Sequence, residues 1–303
     1  MKELPILSFN YGHVEPDRIP ARLEDLAAAG AHQILLEAKQ LMSCADDPQY
    51  RKVLEDGLAA NHLRINDVHA PHGMTDSLGC PLPGAEPQTV QVQLKAIRTA
   101  AGLGARTVTI HTARNRYVGQ FAPETGPIED IDLPGAKARI YRQLEILLPE
   151  AEKCNIMLAL ENLFLPSSAA SFIAPIVREF AHPKLGLNYD SGHALLLERL
   201  PGKDPAQIAE WIRIGWPDNR VQLEGDQLDM MLDNVVTAHL HDNHGINDEH
   251  LMPGDGVADW KHIFERLQRA PRLVSLQSEV LSRHYGEHPG AQIAPFVKLG
   301  FSV

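Results

Sequence analysis

The chain has 303 residues, 44% hydrophobic, 22% charged and 6% aromatic, with 28 basic against 39 acidic side chains and a formal charge of −11. Length alone permits one domain or two, and the acidic balance argues against nucleic acid or an anionic membrane as partner, since both call for a basic surface. Cys44, Cys80 and Cys154 form no CxxC pair, which argues against a disulfide framework or a thiolate zinc site; no signal-peptide core or membrane-length apolar run is present, so the expected compartment is the cytoplasm.

Short apolar strands alternate with helical stretches along the chain. Pro5–Asn10 reads as the first strand. Helix Arg22–Ala29 puts Leu23, Leu26 and Ala27 on one face and stops at Gly30, and the strand Gln33–Glu37 follows. A polar helical stretch at about Asp47–Asn61 leads to the strand Arg64–His69. The helix Gln88–Leu103 carries Val90, Leu94, Ile97 and Ala101 at helical spacing, breaks at Gly104, and yields the strand Thr107–His111. Helix Ala136–Cys154, with Asn155 as its C-cap, precedes the strand Met157–Glu161. Helix Ala169–Phe180 precedes Leu185–Asp190; helical pieces at Pro205–Ile214 and Asp226–Leu232 precede Val235–His241. Helix Trp260–Gln268 precedes the strand Leu273–Glu279, and Ala291–Leu299 is the last helix. Eight strands alternating with helices predict an α/β fold, a single (β/α)8 TIM barrel over residues 1–303. The long segment Thr112–Pro134, with Gly119 and Gly126, is either a hinged lid or an inert loop.

Alternate strand residues share a face. Thr237, His239 and His241 oppose Val236, Ala238 and Leu240; Gly186, Asn188 and Asp190 oppose Leu185, Leu187 and Tyr189; Ala159 and Glu161 oppose Leu158 and Leu160; Ser275, Gln277 and Glu279 oppose Val274 and Leu276. The apolar faces suit packing on helices, so the polar faces look into the barrel. The last inward residues are then Glu37, His69, His111, Glu161, Asp190, His241 and Glu279, which a barrel gathers at one mouth. A single strand-end histidine is more often structural, and a single acid more often a loop cap. Seven together need another account: carboxylates so close repel unless a cation neutralises them, and the carboxylate–imidazole mixture suits Zn²⁺, Mn²⁺ or Mg²⁺.

Several motifs carry a family resemblance: Val68-His69-Ala70-Pro71, Ile110-His111-Thr112, Ala159-Leu160-Glu161-Asn162, Asp190-Ser191-Gly192-His193, His239-Leu240-His241-Asp242, Asp248-Glu249-His250-Leu251, Pro253-Gly254-Asp255-Gly256 and Gln277-Ser278-Glu279. Their order resembles the xylose-isomerase-like barrel superfamily, which includes sugar isomerases and epimerases and also endonuclease IV. The first branch implies a divalent ion on Glu161, Asp190, His241 and Glu279, with Glu161 and Glu279 as the proton-transfer pair around a metal-stabilised enediolate. It also implies His193 as a substrate ligand, with His69 and His111 as further substrate-binding candidates. The second branch implies three zinc ions on His69, His111, Glu161, Asp190, His193, His239, Asp248, His250 and Glu279. The resemblance to sugar isomerases in His241-Asp242-Asn243, Asp248 to Leu251, Pro253 to Gly256 and Asp259-Trp260 favours isomerisation or epimerisation of a small sugar. The alternatives are a multi-zinc phosphodiesterase on abasic-site DNA and a metal-binding barrel without catalysis. A strict ketose 3-epimerase is disfavoured, because Ser167 and Asn247 stand where those enzymes carry Glu and Arg. The Pro253–Gly256 loop reads as a tight turn or a phosphate cradle, and His72, His244, His262 and His284 as loop or surface residues. Homo-oligomerisation is left open.

Overall fold

The computed structural model describes residues 3–116 and 131–303. Eight parallel strands form one sheet: β1 (Leu7–Ser8), β2 (Gln33–Leu36), β3 (Arg64–His69), β4 (Thr107–Ile110), β5 (Met157–Glu161), β6 (Leu185–Asp190), β7 (Val235–Leu240) and β8 (Leu276–Ser278). Their order is β1-β8-β7-β6-β5-β4-β3-β2, and the seam between β1 and β2 is closed by Phe9, which pairs with Ile34. There the Phe9 N–H donates to the Gln33 carbonyl and the Leu35 N–H to the Phe9 carbonyl, each at 3.2 Å. This is the expected (β/α)8 TIM barrel.

The helices are α1 (Ile19–Ala28), α2 (Ala38–Asp46), α3 (Pro48–Ala60), α4 (Glu86–Gly102), α5 (Leu133–Cys154), α6 (Ala170–Phe180), α7 (Ser191–Leu197), α8 (Glu210–Arg213), α9 (Gln227–Met231), α10 (Trp260–Leu267) and α11 (Ile293–Lys298). Local chemistry sets their ends. Gly30, at φ 103°, turns the chain out of α1 into the approach to β2. Asn155 takes the left-handed conformation that ends α5, at φ 56°. Asp47 caps α3 by accepting from the Gln49 and Tyr50 N–H groups, with Pro48 at the first helical position.

Two helices lie outside the elements expected from the sequence. The chain directly after Glu37 forms α2, nucleated by a capping box between Glu37 and Gln40. The other, α7, starts at Ser191 with the last residue of β6, Asp190, as its N-cap, so no separate turn divides strand from helix. The end strands are shorter than predicted: β1 pairs with β8 through only Leu7–Leu276 and Ser8–Gln277. Most of the candidate lid, including Gly119 and Gly126, lies outside the described residues.

The alternation read from the strands carries through. Leu158, Leu160, Leu185, Leu187, Tyr189, Ala238, Leu240 and Leu276 join the main apolar cluster with helix residues such as Leu144, Ile173 and Phe296. The barrel interior is polar instead. Buried Asp67 accepts from Thr237 at 2.6 Å and Ser275 at 2.9 Å across the lumen. A smaller apolar cluster, with Phe164, Leu196, Ile212 and Trp216, covers the α7–α8 side of the mouth.

The close approach of β6 to β7 demands glycine at 186, where an added Cβ would stand 2.4 Å from Val236 Cγ1 and 3.0 Å from the Asn234 carbonyl. Gly186→Ala is therefore expected to destabilise the fold by about 1–3 kcal/mol, the usual cost of overpacking, seen as a lowered midpoint in thermal unfolding.

Candidate metal centre

Among the described residues, ten charged or imidazole side chains at the mouth have ligand atoms that fall into three contiguous groups: His69, His111 and Glu161; Glu161, Asp190, His239 and Glu279; and His193, His241, Asp248 and His250. Within each group the candidate atoms all lie within 4.8 Å of one another. Glu161 belongs to two groups. Its side chain has no exposed surface, with Oε2 at 2.6 Å from His111 Nε2 and 3.3 Å from His69 Nε2, and Oε1 at 2.9 Å from His239 Nδ1.

The placement of the histidines on β7 and just beyond it departs from the primary expectation. His239, not His241, completes the group with Glu161, Asp190 and Glu279: its Nδ1 lies 3.0 Å from Glu279 Oε1. His241 sits one inward step further toward the mouth and stacks on His250, ring centroids 3.9 Å apart and planes 6° apart. It still touches Asp190 at 3.0 Å and reaches Glu279 at 4.0 Å. The register explains the exchange, because Asp190 of β6 lies directly opposite His239. His193 stands beside Asp248 at 3.5 Å, while its backbone N–H donates to Asp190 Oδ1 at 2.6 Å. Asp190 is thus both N-cap of α7 and member of the central group.

The charges in this cluster hold one another ionised. Burial raises Glu161, but His239 and His111 outweigh it and hold the carboxyl well below its ordinary range. Burial lowers His239, but Glu279 and Glu161 hold it well above. Burial likewise lowers His193, and Asp190 and Asp248 raise it well above its ordinary value. Without an ion, protons on His239 and His193 supply positive charge beside the carboxylates. The donor set fits a divalent cation of the zinc or manganese kind: nitrogen and oxygen only, converging, with no thiolate. Buried atoms point the same way, since Glu161 Oε1, His239 Nδ1, His241 Nδ1 and Asp248 Oδ1 have no hydrogen-bond partner of normal geometry.

A cavity of about 430 Å³ opens above these groups, lined by Glu37, His69, His72, His111, Glu161, His193, Asp248, His250 and Glu279 on the polar side. Leu163, Phe164, Leu165 and Leu281 give it an apolar wall, and Arg114 is its one lysine or arginine among the described residues. His72 is an exposed loop residue, as expected, and from there it also lines this cavity, its ring centroid 4.7 Å from that of His111. Its place three residues after His69 was the available signal. The Pro253–Gly256 loop resolves as a turn organised by Asp242, which accepts from the Gly254 and Ala258 N–H groups, each at 3.0 Å. At the two departures from ketose epimerases, Ser167 donates to the Ala113 carbonyl at 2.7 Å, and Asn247 accepts from the Trp211 indole at 3.0 Å.

Residues 23–291 match the family described as xylose isomerase-like TIM barrel. The chain belongs to this family. Among solved structures, this barrel resembles a D-tagatose 3-epimerase-like protein (17% identity, TM-score 0.67, 97% of this chain and 98% of that one). It also resembles the 3-keto-D-glucoside 4-epimerase YcjR from E. coli (13%, TM-score 0.67, 98% and 99%). A third likeness is the TTHB071 protein from Thermus thermophilus, soaked with ZnCl2 (21%, TM-score 0.61, 97% and 96%). The uncharacterized protein y4fM of Sinorhizobium fredii is 27% identical over 178 residues, 57% of this chain but only about half of that relative, 47%. Among the described residues no helix of this family member is long and apolar enough to cross a membrane.

The ionised cluster makes the metal-free protein sensitive to pH. Burial lowers His250, but Asp248 outweighs it and raises the imidazole to about 9 from 6.5. A raised folded-state value means that its contribution is complete below about pH 6.5 and is lost as pH rises through about 9. Thermal melts of chelator-treated protein at pH 6, 7.5 and 9 should show a falling midpoint across that window. His250→Asn should flatten the fall; an unchanged slope in the variant would contradict the pairing.

Proposed function

We propose that this barrel is a divalent-metal-dependent isomerase or epimerase of a small sugar or sugar-derived carbonyl compound. The carrying observation is the convergence of Glu161, Asp190, His239 and Glu279 on one point beneath a cavity of about 430 Å³, room for a single small molecule. The barrels of similar architecture named as sugar epimerases support the substrate class. Glu161, Asp190, His239 and Glu279 would hold the ion. When bound, a divalent ion polarises the carbonyl and hydroxyl oxygens of a substrate and offsets negative charge that develops there.

The protein's own groups divide the remaining work. Buried His69 and half-buried His111 face the cavity and fix Glu161. His193 and His250 line the adjoining wall with donors for substrate hydroxyls. Glu279 is the central-group carboxylate with exposed side-chain surface, 14%, so it is the ligand placed to meet substrate and move a proton at the carbon beside the carbonyl. The apolar wall formed by Leu163, Phe164, Leu165 and Leu281 excludes water from the opposite side.

The expected outcome in deuterated water is exchange of the hydrogen next to the carbonyl in one of a panel comprising D-fructose, D-tagatose, D-allulose and 3-keto-D-glucosides. Glu161→Gln should release the metal, as measured by elemental analysis. Glu279→Gln should lower exchange by about 10²–10⁴-fold in protein that still carries its ion, the usual contribution of a general acid or base. Metal-loaded Glu279→Gln exchanging at the normal rate would remove Glu279 from the proton path.

A second reading has its own observation. The outer groups, His69–His111–Glu161 and His193–His241–Asp248–His250, flank the central one as a multi-zinc phosphodiesterase would need. The single arginine at the cavity disfavours a duplex substrate, whose phosphates call for a basic track and give strongly salt-dependent affinity. Incubation with an abasic-site duplex is expected to leave it intact; incision that weakens steeply with salt would favour the phosphodiesterase instead.

A further inference from the structure

We propose that a second cavity, beside the first turns of α1 and α2, binds the phosphate group of a small molecule through Arg18, Arg22, Lys39 and Ser43. It is separate from the metal centre and does not depend on the isomerase reading.

The cavity holds about 340 Å³. Arg18 and Arg22 line it from the turn Pro16–Arg18 and the start of α1, and Lys39 and Ser43 line it from α2. Each pair is four residues apart, the spacing that places side chains on one helical face. The acids of the cavity are Glu15 and Glu287, both exposed. Three permanent cations thus meet two acids, in a chain whose formal charge is −11. The metal cavity has the opposite balance, four acids and one arginine among the described residues.

Arg22 is the only buried lysine or arginine among the described residues, with 7% of its surface exposed. A buried cation needs compensation, and a guanidinium has five N–H donors to satisfy. One donates to the Gly286 carbonyl at 2.7 Å, and another meets Glu287 Oε2 at 3.0 Å. The Nε–H has no partner among the described residues. The counter-ion is itself loosely held, because the Glu287 side chain is 62% exposed. Arg18 closes on the same Glu287 oxygen. Two guanidinium groups therefore already converge on one anionic oxygen, and the carboxylate that supplies it is free to swing into solvent.

A phosphate monoester fits this clamp better than Glu287 does. It brings three acceptor oxygens and close to two negative charges, where a carboxylate brings two oxygens and one charge. Arginine takes such oxygens in parallel pairs, and lysine adds a point charge. The Ser43 hydroxyl supplies a neutral donor. The volume leaves room for a small organic remainder beside the phosphate.

The competing reading is structural: Glu287 ties the segment after β8 to α1 and nothing else binds there. Glu287→Gln separates the two, because it removes the competitor of an anion but also removes the tie. The experiment is calorimetric titration of full-length, metal-loaded protein with inorganic phosphate, D-fructose 6-phosphate and D-fructose at matched ionic strength, with metal content and melting midpoint measured on each sample. Phosphate is expected to bind the parent chain and to bind Glu287→Gln about fivefold more tightly, the upper range for one exposed charge pair. Arg18→Gln and Lys39→Gln, both exposed positions, should weaken it by about the same factor with metal content unchanged. Phosphate should also raise the midpoint of Glu287→Gln more than that of the parent. A gain of about tenfold or more for D-fructose 6-phosphate over phosphate, with the same response to the variants, assigns the site to a phosphorylated sugar. Equal affinities assign it to free phosphate, and the site stands in both cases. Affinity that is unchanged or weaker in Glu287→Gln overturns the proposal in favour of the structural tie. Phosphate binding indifferent to Arg18→Gln and Lys39→Gln places the anion at the metal centre and overturns it as well. So does the absence of saturable binding by phosphate and by the sugar phosphate.

Discussion

Glu161 is the residue on which the site depends. A carboxylate with no exposed surface must be compensated, because leaving such a charge alone in a low-dielectric interior costs several kcal/mol. Three histidines from three strands meet it: His69 from β3, His111 just past β4 and His239 from β7. Two strands, β5 and β6, separate β4 from β7, so one carboxylate ties distant parts of the mouth together. The rest of the cluster extends from that knot. Asp190 and Glu279 add negative charge, and His193, His241 and His250 answer it. Protons on His239, His193 and His250 or a bound cation would answer the same electrostatic problem.

Beneath the knot, the interior is built to support it. Thr109 Oγ1 lies 3.2 Å from His239 Nε2, which leaves Nδ1 turned toward the carboxylates. Such outer partners fix both tautomer and ring orientation for a metal-binding imidazole. One layer further down, Asp67 joins Thr237 and Ser275 across the lumen, and burial raises its carboxyl above the ordinary range. Polar residues therefore run from the barrel centre to its mouth, while the hydrophobic contribution to folding comes from the layer between strands and helices.

That division was legible in the sequence because a strand has period two. Leu158 and Leu160 against Glu161, or Leu187 and Tyr189 against Asp190, name the inner face without reference to any neighbour. The convergence of strand ends followed from the alternation of strands and helices alone. Three things did not follow. Helix α7 begins on the residue after the end of β6, so no turn chemistry separates them. The roles of His239 and His241 depend on the stagger of β7 against β6, a tertiary quantity that two inward-facing histidines on one strand leave open. Glu37 was legible as an inward strand end, but its separation from every metal-capable group among the described residues depends on where the other three acids of the cavity point.

The Asp190-Ser191-Gly192-His193 run shows how a motif that reads as a family signature becomes a set of physical requirements. Asp190 caps α7 through the His193 N–H and still faces His241. Ser191 donates its hydroxyl to the His241 carbonyl at 2.7 Å and accepts the His241 N–H at 3.0 Å, which sets the exit from β7. Gly192 makes room for the imidazole: a Cβ there would lie 1.9 Å from His241 Cε1. With the ring admitted, it stacks on His250, and His250 in turn meets Asp248 at 3.2 Å. His193 closes the set by reaching the same aspartate. None of the four residues can change without moving His241 or its neighbours, so the outer group of four is a consequence of how β6 passes into α7. The central group shares Asp190 with that junction. Two adjacent candidate ion sites are therefore coupled through a single helix cap, and the geometry of one sets the geometry of the other.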